Sequence, residues 1–267
     1  MRAYSTFAEL HAGPKLLILP NAWDAGSARI IEHAGAKAIA TSSAAVAWAH
    51  GYADGQFLPF ETLLATVRAI VKTVSVPVSA DIEAAYAHDA ATAAKTVAQV
   101  IDAGAVGINI EDGNDAPDLL AKKIENLKAA ARKTGGDLWV NARIDTYLRR
   151  LVPAEQAYDE TVTRARLYRD AGADSIFAPG LTDLAGLTRM VKDVVLPLNC
   201  LAWPGLPDAA ALEKIGVRRL SAGSGIGKVI LGRTFTMAKA FLADGSSEPF
   251  SEGPLSNPDI NGMLRKG

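Results

Sequence analysis

The chain has a single cysteine, Cys200, in 267 residues. That excludes an intramolecular disulfide framework and a metal site built from thiolates. Charge of one sign is also lacking: 28 Lys and Arg stand against 29 Asp and Glu, a net of −1. There is no basic field for nucleic acid or for an anionic membrane surface. No apolar run reaches the roughly 18 residues of a membrane span. The opening MRAYSTFAELHAG lacks the apolar stretch of a secretory signal, so a cytoplasmic location is expected. Histidines number only four, and neither a Ser–His–acid order nor a Gly-x-Ser-x-Gly elbow is found.

What is present is rhythm. Short apolar runs recur at Leu16–Asn21, Ala38–Ser43, Val76–Ile82, Gly107–Asp112, Leu138–Arg143, Ser175–Pro179, Leu196–Leu201 and Arg218–Ala222. They are nearly continuous in apolar residues rather than alternating, as parallel strands covered on both sides are. Helix-period stretches separate them, among them Phe60–Val74, Ala90–Ala103, Leu119–Thr134 and Ala154–Ala171. On the Leu119 stretch, Leu119, Leu120, Ile124, Leu127 and Ala131 share a face, with Lys122, Lys123, Lys128 and Arg132 elsewhere. Gly35, Gly104 and Gly172 each sit between two alanines ahead of a strand, and Gly216 is a looser copy. Glycine just past a helix supplies the left-handed residue that closes it. Eight strands alternating with helices predict an α/β fold, a closed (β/α)8 TIM barrel, with an open doubly wound sheet as the alternative. Residues 1–245 then form one barrel with its C-terminal helix, and 246–267 a surface or subunit-spanning tail. Ile226–Leu242 has little polar face, so burial against another subunit is expected, in a homodimer or homotetramer.

In such a barrel the chemistry sits at the C-terminal strand ends, and here these are polar. They offer Asn21, Trp23 and Asp24; Ser42 and Ser43; Asp81 and Glu83; Glu111 and Asp112; Asn141, Arg143 and Asp145; Asn199 and Cys200. Asp81 and Glu83, two apart on a strand, point the same way. With Glu111 they gather three carboxylates, whose repulsion a hard divalent cation would relieve. The alternative is that Arg143 neutralises one or two of them in a buried ion-pair network. His50 and His88, in loops after the second and third strands, could reach the mouth, whereas His11 and His33 read as surface or satisfied residues. Cys200 reads as a small buried hydrophobe rather than a nucleophile. The run Gly223-Ser-Gly-Ile-Gly227 lacks the lysine and spacing of a phosphate loop and reads as a helix start.

Taken in order, Pro20-Asn-Ala-Trp-Asp-Ala-Gly-Ser-Ala-Arg29, Thr41-Ser-Ser-Ala-Ala-Val-Ala47, Gly51-Tyr-Ala-Asp-Gly55, Ala80-Asp-Ile-Glu-Ala84, Gly107-Ile-Asn-Ile-Glu-Asp-Gly113 and Asn141-Ala-Arg143 resemble the isocitrate lyase / phosphoenolpyruvate mutase superfamily. The resemblance implies Mg2+ or Mn2+ bound with a small 2-oxo-carboxylate and chemistry through an enolate. It makes Asp81 the direct metal ligand and lets Asp54, Glu83 and Glu111 hold metal-bound waters. Ser43 and the N–H groups of Ala44 and Ala45 would grip the substrate carboxylate, with Trp23 packed against it. Arg143 would pair with the substrate oxygen, and Asn199 is a further substrate contact. It also implies that the last helix is exchanged between subunits.

The chain departs from the pattern after the fourth strand. The superfamily's lyases carry a Lys-Lys/Arg-Cys-Gly-His loop there, and this chain has Gly113-Asn-Asp-Ala-Pro-Asp118. That argues against a standard isocitrate or 2-methylisocitrate lyase. After the third-strand acids it has Ala84-Ala85 where relatives often have glycine. The expectation is a metal-dependent lyase cleaving a C–C bond of a small 2-oxo or 2-hydroxy acid, oxaloacetate decarboxylase-like or methylisocitrate lyase-like. Arg143 and Glu111 would be its catalytic groups, and His50 or Tyr52 could protonate the enolate. The alternatives are a phosphonopyruvate hydrolase or carboxyphosphonoenolpyruvate phosphonomutase, and a non-catalytic 2-oxo-acid binder.

Overall fold

Proline cannot donate to a β-ladder, and Pro20 cuts the first expected strand in two. The computed structural model, which describes residues 2–133 and 137–265, begins with helix α1 (Arg2–Ala12) and then places β1 (Leu17–Leu19) and β2 (Asn21–Ala22) on either side of that proline. There follow α2 (Ala25–His33), β3 (Ile39–Thr41), α3 (Ser43–Ala49), α4 (Phe60–Thr73), β4 (Val78–Asp81), α5 (Ala90–Asp102), β5 (Gly107–Glu111) and α6 (Pro117–Lys133). The second half holds β6 (Trp139–Arg143), α7 (Ala157–Asp170), β7 (Ser175–Phe177), α8 (Leu184–Val194), β8 (Leu198–Leu201), α9 (Ala209–Ile215), β9 (Arg219–Ser221), α10 (Gly225–Asp244) and α11 (Asn257–Leu264). Thr134, the expected end of α6, lies outside the described residues.

Every neighbouring pair is parallel. β1 pairs with β9 (Leu19↔Ser221) and β2 with β3 (Asn21↔Ala40), so the ring is joined through Pro20. The proline breaks the ladder's donor side alone, since its carbonyl still accepts from Ala40 N–H at 3.1 Å. The expected barrel is therefore found, and Gly35, Gly104, Gly172 and Gly216 all adopt φ near +100° (97 to 106°) at the predicted helix stops. Val67, Ile70, Val97, Val100, Ile124, Leu127, Leu187 and Met190 are buried from the helix side, each burial stabilising by about 1.5–3 kcal/mol.

Lys123 and Lys128, off the apolar face of α6, are nevertheless buried. Lys128 bridges Asp137 and Asp174 at 3.0 Å each, while Lys123 donates to the carbonyls of Ala84 (2.9 Å) and Ala87 (2.8 Å). His11 is buried as well. It belongs to α1, which covers the N-terminal end of the barrel. Phe7 meets Trp139 edge-on at 6.2 Å and His11 stacks on it at 4.3 Å. Gly107 is required there, because a Cβ would come within 2.9 Å of the Phe7 ring.

Helix α10 leaves the barrel instead of covering it, exposing Val229, Ile230, Leu231 and Phe235. Beyond it, α11 returns to α2, where Arg29 donates to the carbonyls of Met263 and Arg265 at 3.0 Å each. Among the described residues no helix is long and apolar enough to cross a membrane.

Candidate active site

The barrel interior is polar, and a chain of side chains rises through it. Trp139 Nε1 donates to Ser175 Oγ (2.9 Å) and Ser175 Oγ to Asn141 Oδ1 (2.7 Å). Asn141 Nδ2 donates to Asn109 Oδ1 (3.0 Å) and Asn109 Nδ2 to Asp81 Oδ1 (3.1 Å). Asp81 is thus fixed from below. From above, Ser43 N–H donates to its Oδ2 at 3.1 Å, and its own N–H donates to Thr41 Oγ1 at 2.8 Å.

Around Asp81 stand Asp54 and Glu83. Burial and the charge of Asp81 push both carboxyls up, Glu83 to about 7. Tyr86 donates to Glu83 at 3.3 Å, and no Lys or Arg forms an ion pair with Asp54, Asp81 or Glu83 among the described residues. The turn carrying Glu83 is strained: Glu83, Ala85 and Tyr86 all have positive φ, 51°, 69° and 51°, each at a cost of about 1–3 kcal/mol. Lys123 clamps this turn through the carbonyls of Ala84 and Ala87. Ala85 adopts the backbone that glycine would take with less strain, and its methyl is fully buried.

Glu111 faces the opposite charge. Arg143 Nη1 lies 2.7 Å from Glu111 Oε2, and Arg143 Nε donates to Asp145 Oδ1 at 2.6 Å. Arg149, absent from the sequence reading, joins them, 2.8 Å from Asp145 and 3.4 Å from Glu111. Burial pushes the Glu111 carboxyl up against the pull of Arg143, and the acids hold Arg143 firmly protonated. The ion-pair alternative is therefore realised at Glu111, while the other three acids remain without a cation. Hard oxygen donors lacking a counter-charge suit a divalent cation. No three His, Cys, Asp or Glu side chains converge as direct ligands among the described residues, so an ion on Asp81 would complete its shell largely with water.

Ser43, Ala44, Asp54, Asp81, Arg143 and Asn199 line one cavity of about 220 Å³. Other expected site residues stand apart from it. Trp23 lies behind the Ser43 turn, wedged against Ala45 and Gly227. Ala45 N–H is already directed to Ser42 Oγ, at 3.4 Å. His50 is turned to Thr66 of α4 at 3.0 Å, and Tyr52 is half-exposed. Neither lines the cavity, because α3 starts directly after β3 and carries the chain outwards. Cys200 is buried, and burial pushes its thiol up to about 12. The cavity instead contains Arg219, Trp203 and Lys228, which the strand-end reading passed over.

The chain matches the phosphoenolpyruvate phosphomutase family over residues 7–242. It is 30% identical over 210 residues to phosphonopyruvate hydrolase of Variovorax sp., covering 71% of this chain and 70% of that one. It is 28% identical over 187 residues to 2-methylisocitrate lyase of Escherichia coli, covering 66% and 61%. The crystal structure of a candidate lyase/mutase from Burkholderia cenocepacia superposes with a TM-score of 0.90 at 32% identity, covering 99% and 96%. The polar barrel mouth and these likenesses agree, and the chain belongs to the phosphoenolpyruvate phosphomutase family of the isocitrate lyase / phosphoenolpyruvate mutase superfamily of enzymes.

Proposed function

We propose that the chain is a Mg2+- or Mn2+-dependent lyase that cleaves a C–C bond of a small 2-oxo or 2-hydroxy acid and leaves a pyruvate-type enolate. The observation that carries this reading is one cavity lined by Asp54 and Asp81, neither paired with a Lys or Arg among the described residues, and by Arg143; Glu83 and Glu111 stand outside its lining. A divalent cation held by Asp81, with Asp54 and Glu83 on its waters, would polarise the 2-oxo group. The Ser43 hydroxyl and the Ala44 N–H suit one carboxylate, and Asn199 Nδ2, buried without a partner, suits the remainder of the substrate. Arg143 places positive charge where the enolate oxygen develops, an arrangement worth about 3–4 kcal/mol when preorganised. With His50 and Tyr52 outside the cavity lining, water would protonate the enolate. Loss of carbon dioxide from oxaloacetate fits this site, because that leaving group needs no general base; methylisocitrate-type cleavage would need one.

The likeness to a phosphonopyruvate hydrolase favours C–P cleavage as the second reading. Against it stands the composition of the 113–118 loop, where phosphonate-processing relatives carry basic or amide groups and this chain has Asn114 beside two acids. An NMR time course of oxaloacetate, 2-methylisocitrate and phosphonopyruvate with Mg2+, against Mg2+ alone and against EDTA, tests both. Protein-dependent pyruvate that EDTA stops, from either carbon acid, is the expected result. Inorganic phosphate from phosphonopyruvate selects the second reading, and tight oxalate binding without turnover selects a non-catalytic binder.

We also infer a homo-oligomer in which α10 is exchanged. Ile18, on the outer face of β1, is 59% exposed beside a groove lined by Leu16, Leu17, Pro20 and Ile31. That is where the eighth helix of a barrel belongs, and α10 has left it. Sedimentation should give a dimer or tetramer, and Ile18→Asp should dissociate it.

A further inference from the structure

We propose that the floor of the barrel is an anion-binding site in which Arg219, Asn199 and Ser79 hold a small anion beneath Asp81. Arg219 and Asn199 are register partners on β9 and β8, and Ser79 lies two residues below Asp81 on β4. All three line the same cavity as Asp81. Arg219 is 2% exposed, and neither its Nε nor its Nη1 has a hydrogen-bond partner. Asn199 Nδ2 and Ser79 Oγ are likewise buried without one.

A guanidinium in that position needs negative charge, since an unpaired buried ion is strongly disfavoured. Burial lowers Arg219 to about 10, so it stays protonated at neutral pH. No carboxylate forms an ion pair with it among the described residues. Asp81, the acid whose charge reaches it, is already engaged by Ser43 N–H and the Asn109 amide. His11 offers no charge, because burial pushes its imidazole down to about 3 and its Nδ1 is committed to the Phe7 carbonyl at 2.8 Å.

The neighbouring amide oxygens each already accept one hydrogen bond from the protein. Asn109 Oδ1 accepts from Asn141, and Asn141 Oδ1 accepts from Ser175. Asn199 Oδ1 accepts from Ser221, and Asn21 Oδ1 accepts from Gly223 N–H. The groups left without a partner at the floor are the Arg219 guanidinium, the Asn199 amide nitrogen and the Ser79 hydroxyl. A cation is repelled there, and a neutral water would leave the charge of the guanidinium unmet. An anion satisfies both the charge and the donors. Its source is either a free inorganic ion or a carboxylate that reaches down from a bound acid.

The test uses full-length, metal-free protein with no substrate, so it stands whether or not the lyase reading does. Bromide, chloride and acetate are titrated at constant ionic strength, made up with a bulky sulfonate, while thermal unfolding is followed. Wild type should show a saturable rise of roughly 5 °C, and Arg219→Met should abolish it. Should Arg219→Met not fold, Ser79→Ala should raise the half-saturating concentration about tenfold. Crystals soaked in bromide should show an anomalous peak against Arg219. An Arg219-dependent rise with bromide identifies a free ion, and one with acetate alone identifies a carboxylate. No saturable rise, or the same rise in Arg219→Met, overturns the site.

Discussion

Glu111 and Asp112 are consecutive residues at one strand end, yet they enter two different kinds of environment. Asp112 points out between β5, β6 and α7, where its Oδ2 accepts from Arg164 (2.9 Å) and Tyr168 (2.8 Å) and its Oδ1 from Asp145 N–H (2.9 Å). Glu111 points in, toward Arg143 and the acids of the cavity. The outward cluster is complete: charge is met by charge and the lone pairs by donors. The inward cluster is not, since Asp54, Asp81 and Glu83 crowd together without a Lys or Arg partner among the described residues, and with a strained turn behind them. Completeness marks a carboxylate that holds the fold, and incompleteness one that waits for a ligand.

The largest effects should separate these two clusters. Asp81→Ala should cost about 4 kcal/mol of transition-state stabilisation, roughly a thousandfold in turnover. Calorimetric Mg2+ titration of that variant should show no saturation, while its metal-free melting temperature does not fall. Asp112→Ala should do the reverse. It leaves Arg164 and Tyr168 buried around a missing partner, costing about 3–5 kcal/mol and lowering the melting temperature by roughly 10 °C. Its turnover per folded molecule in the cold should stay within a few-fold of wild type. If Asp81→Ala unfolds the barrel and Asp112→Ala merely inactivates it, the two clusters have been assigned the wrong way round.

The eight strands and their helix stops were legible because parallel strands buried on both faces leave continuous apolar runs, and because Gly35, Gly104, Gly172 and Gly216 need left-handed backbone. The carboxylates at the strand ends were legible for the same topological reason. The rest turned on long-range geometry. Lys123 lies off the apolar face of its helix, and its burial follows from the Ala84–Ala87 turn folding over it and offering two carbonyls. Arg149 enters only because the chain bends back after β6, and His50 and Tyr52 fall outside the cavity lining because α3 begins at once after β3. Arg219 could have been found: in β9 it alternates with Leu220 and shares its face with Ser221, so one of two consecutive arginines had to point into the barrel.

A smaller, pH-dependent effect sharpens the contrast. Glu83 titrates near 7 in the folded protein against an ordinary 4.5. Between those values the folded state retains a proton that the unfolded chain has released, so stability without metal falls as pH rises through this window and levels off above it. Added Mg2+ should reverse the trend, because its affinity grows as that proton leaves. Melting curves of EDTA-treated protein from pH 4.5 to 8, with and without saturating Mg2+, check both slopes. Glu83→Gln should flatten the metal-free curve. A metal-free protein that gains stability across this range would mean that Glu83 is compensated in the manner of Asp112.

The smallest effect asks whether strain itself belongs to the site. Val195 closes α8 at φ 59°, ψ 26° and is 71% exposed, a left-handed conformation costly for a β-branched residue. Val195→Gly should gain about 1 kcal/mol, raising the melting temperature by roughly 2–4 °C with Mg2+ affinity unchanged. The same relief at the acids has a different consequence. Ala85→Gly frees a similar φ but removes a buried methyl worth about 0.8 kcal/mol, so its net stability should barely move. It also loosens the turn that aims Glu83, so Mg2+ affinity should fall several-fold. Equal Mg2+ affinity in the two variants would show that the strain beside the acids is incidental. A loss confined to Ala85→Gly would show that the turn is held out of its relaxed form in order to place a carboxylate.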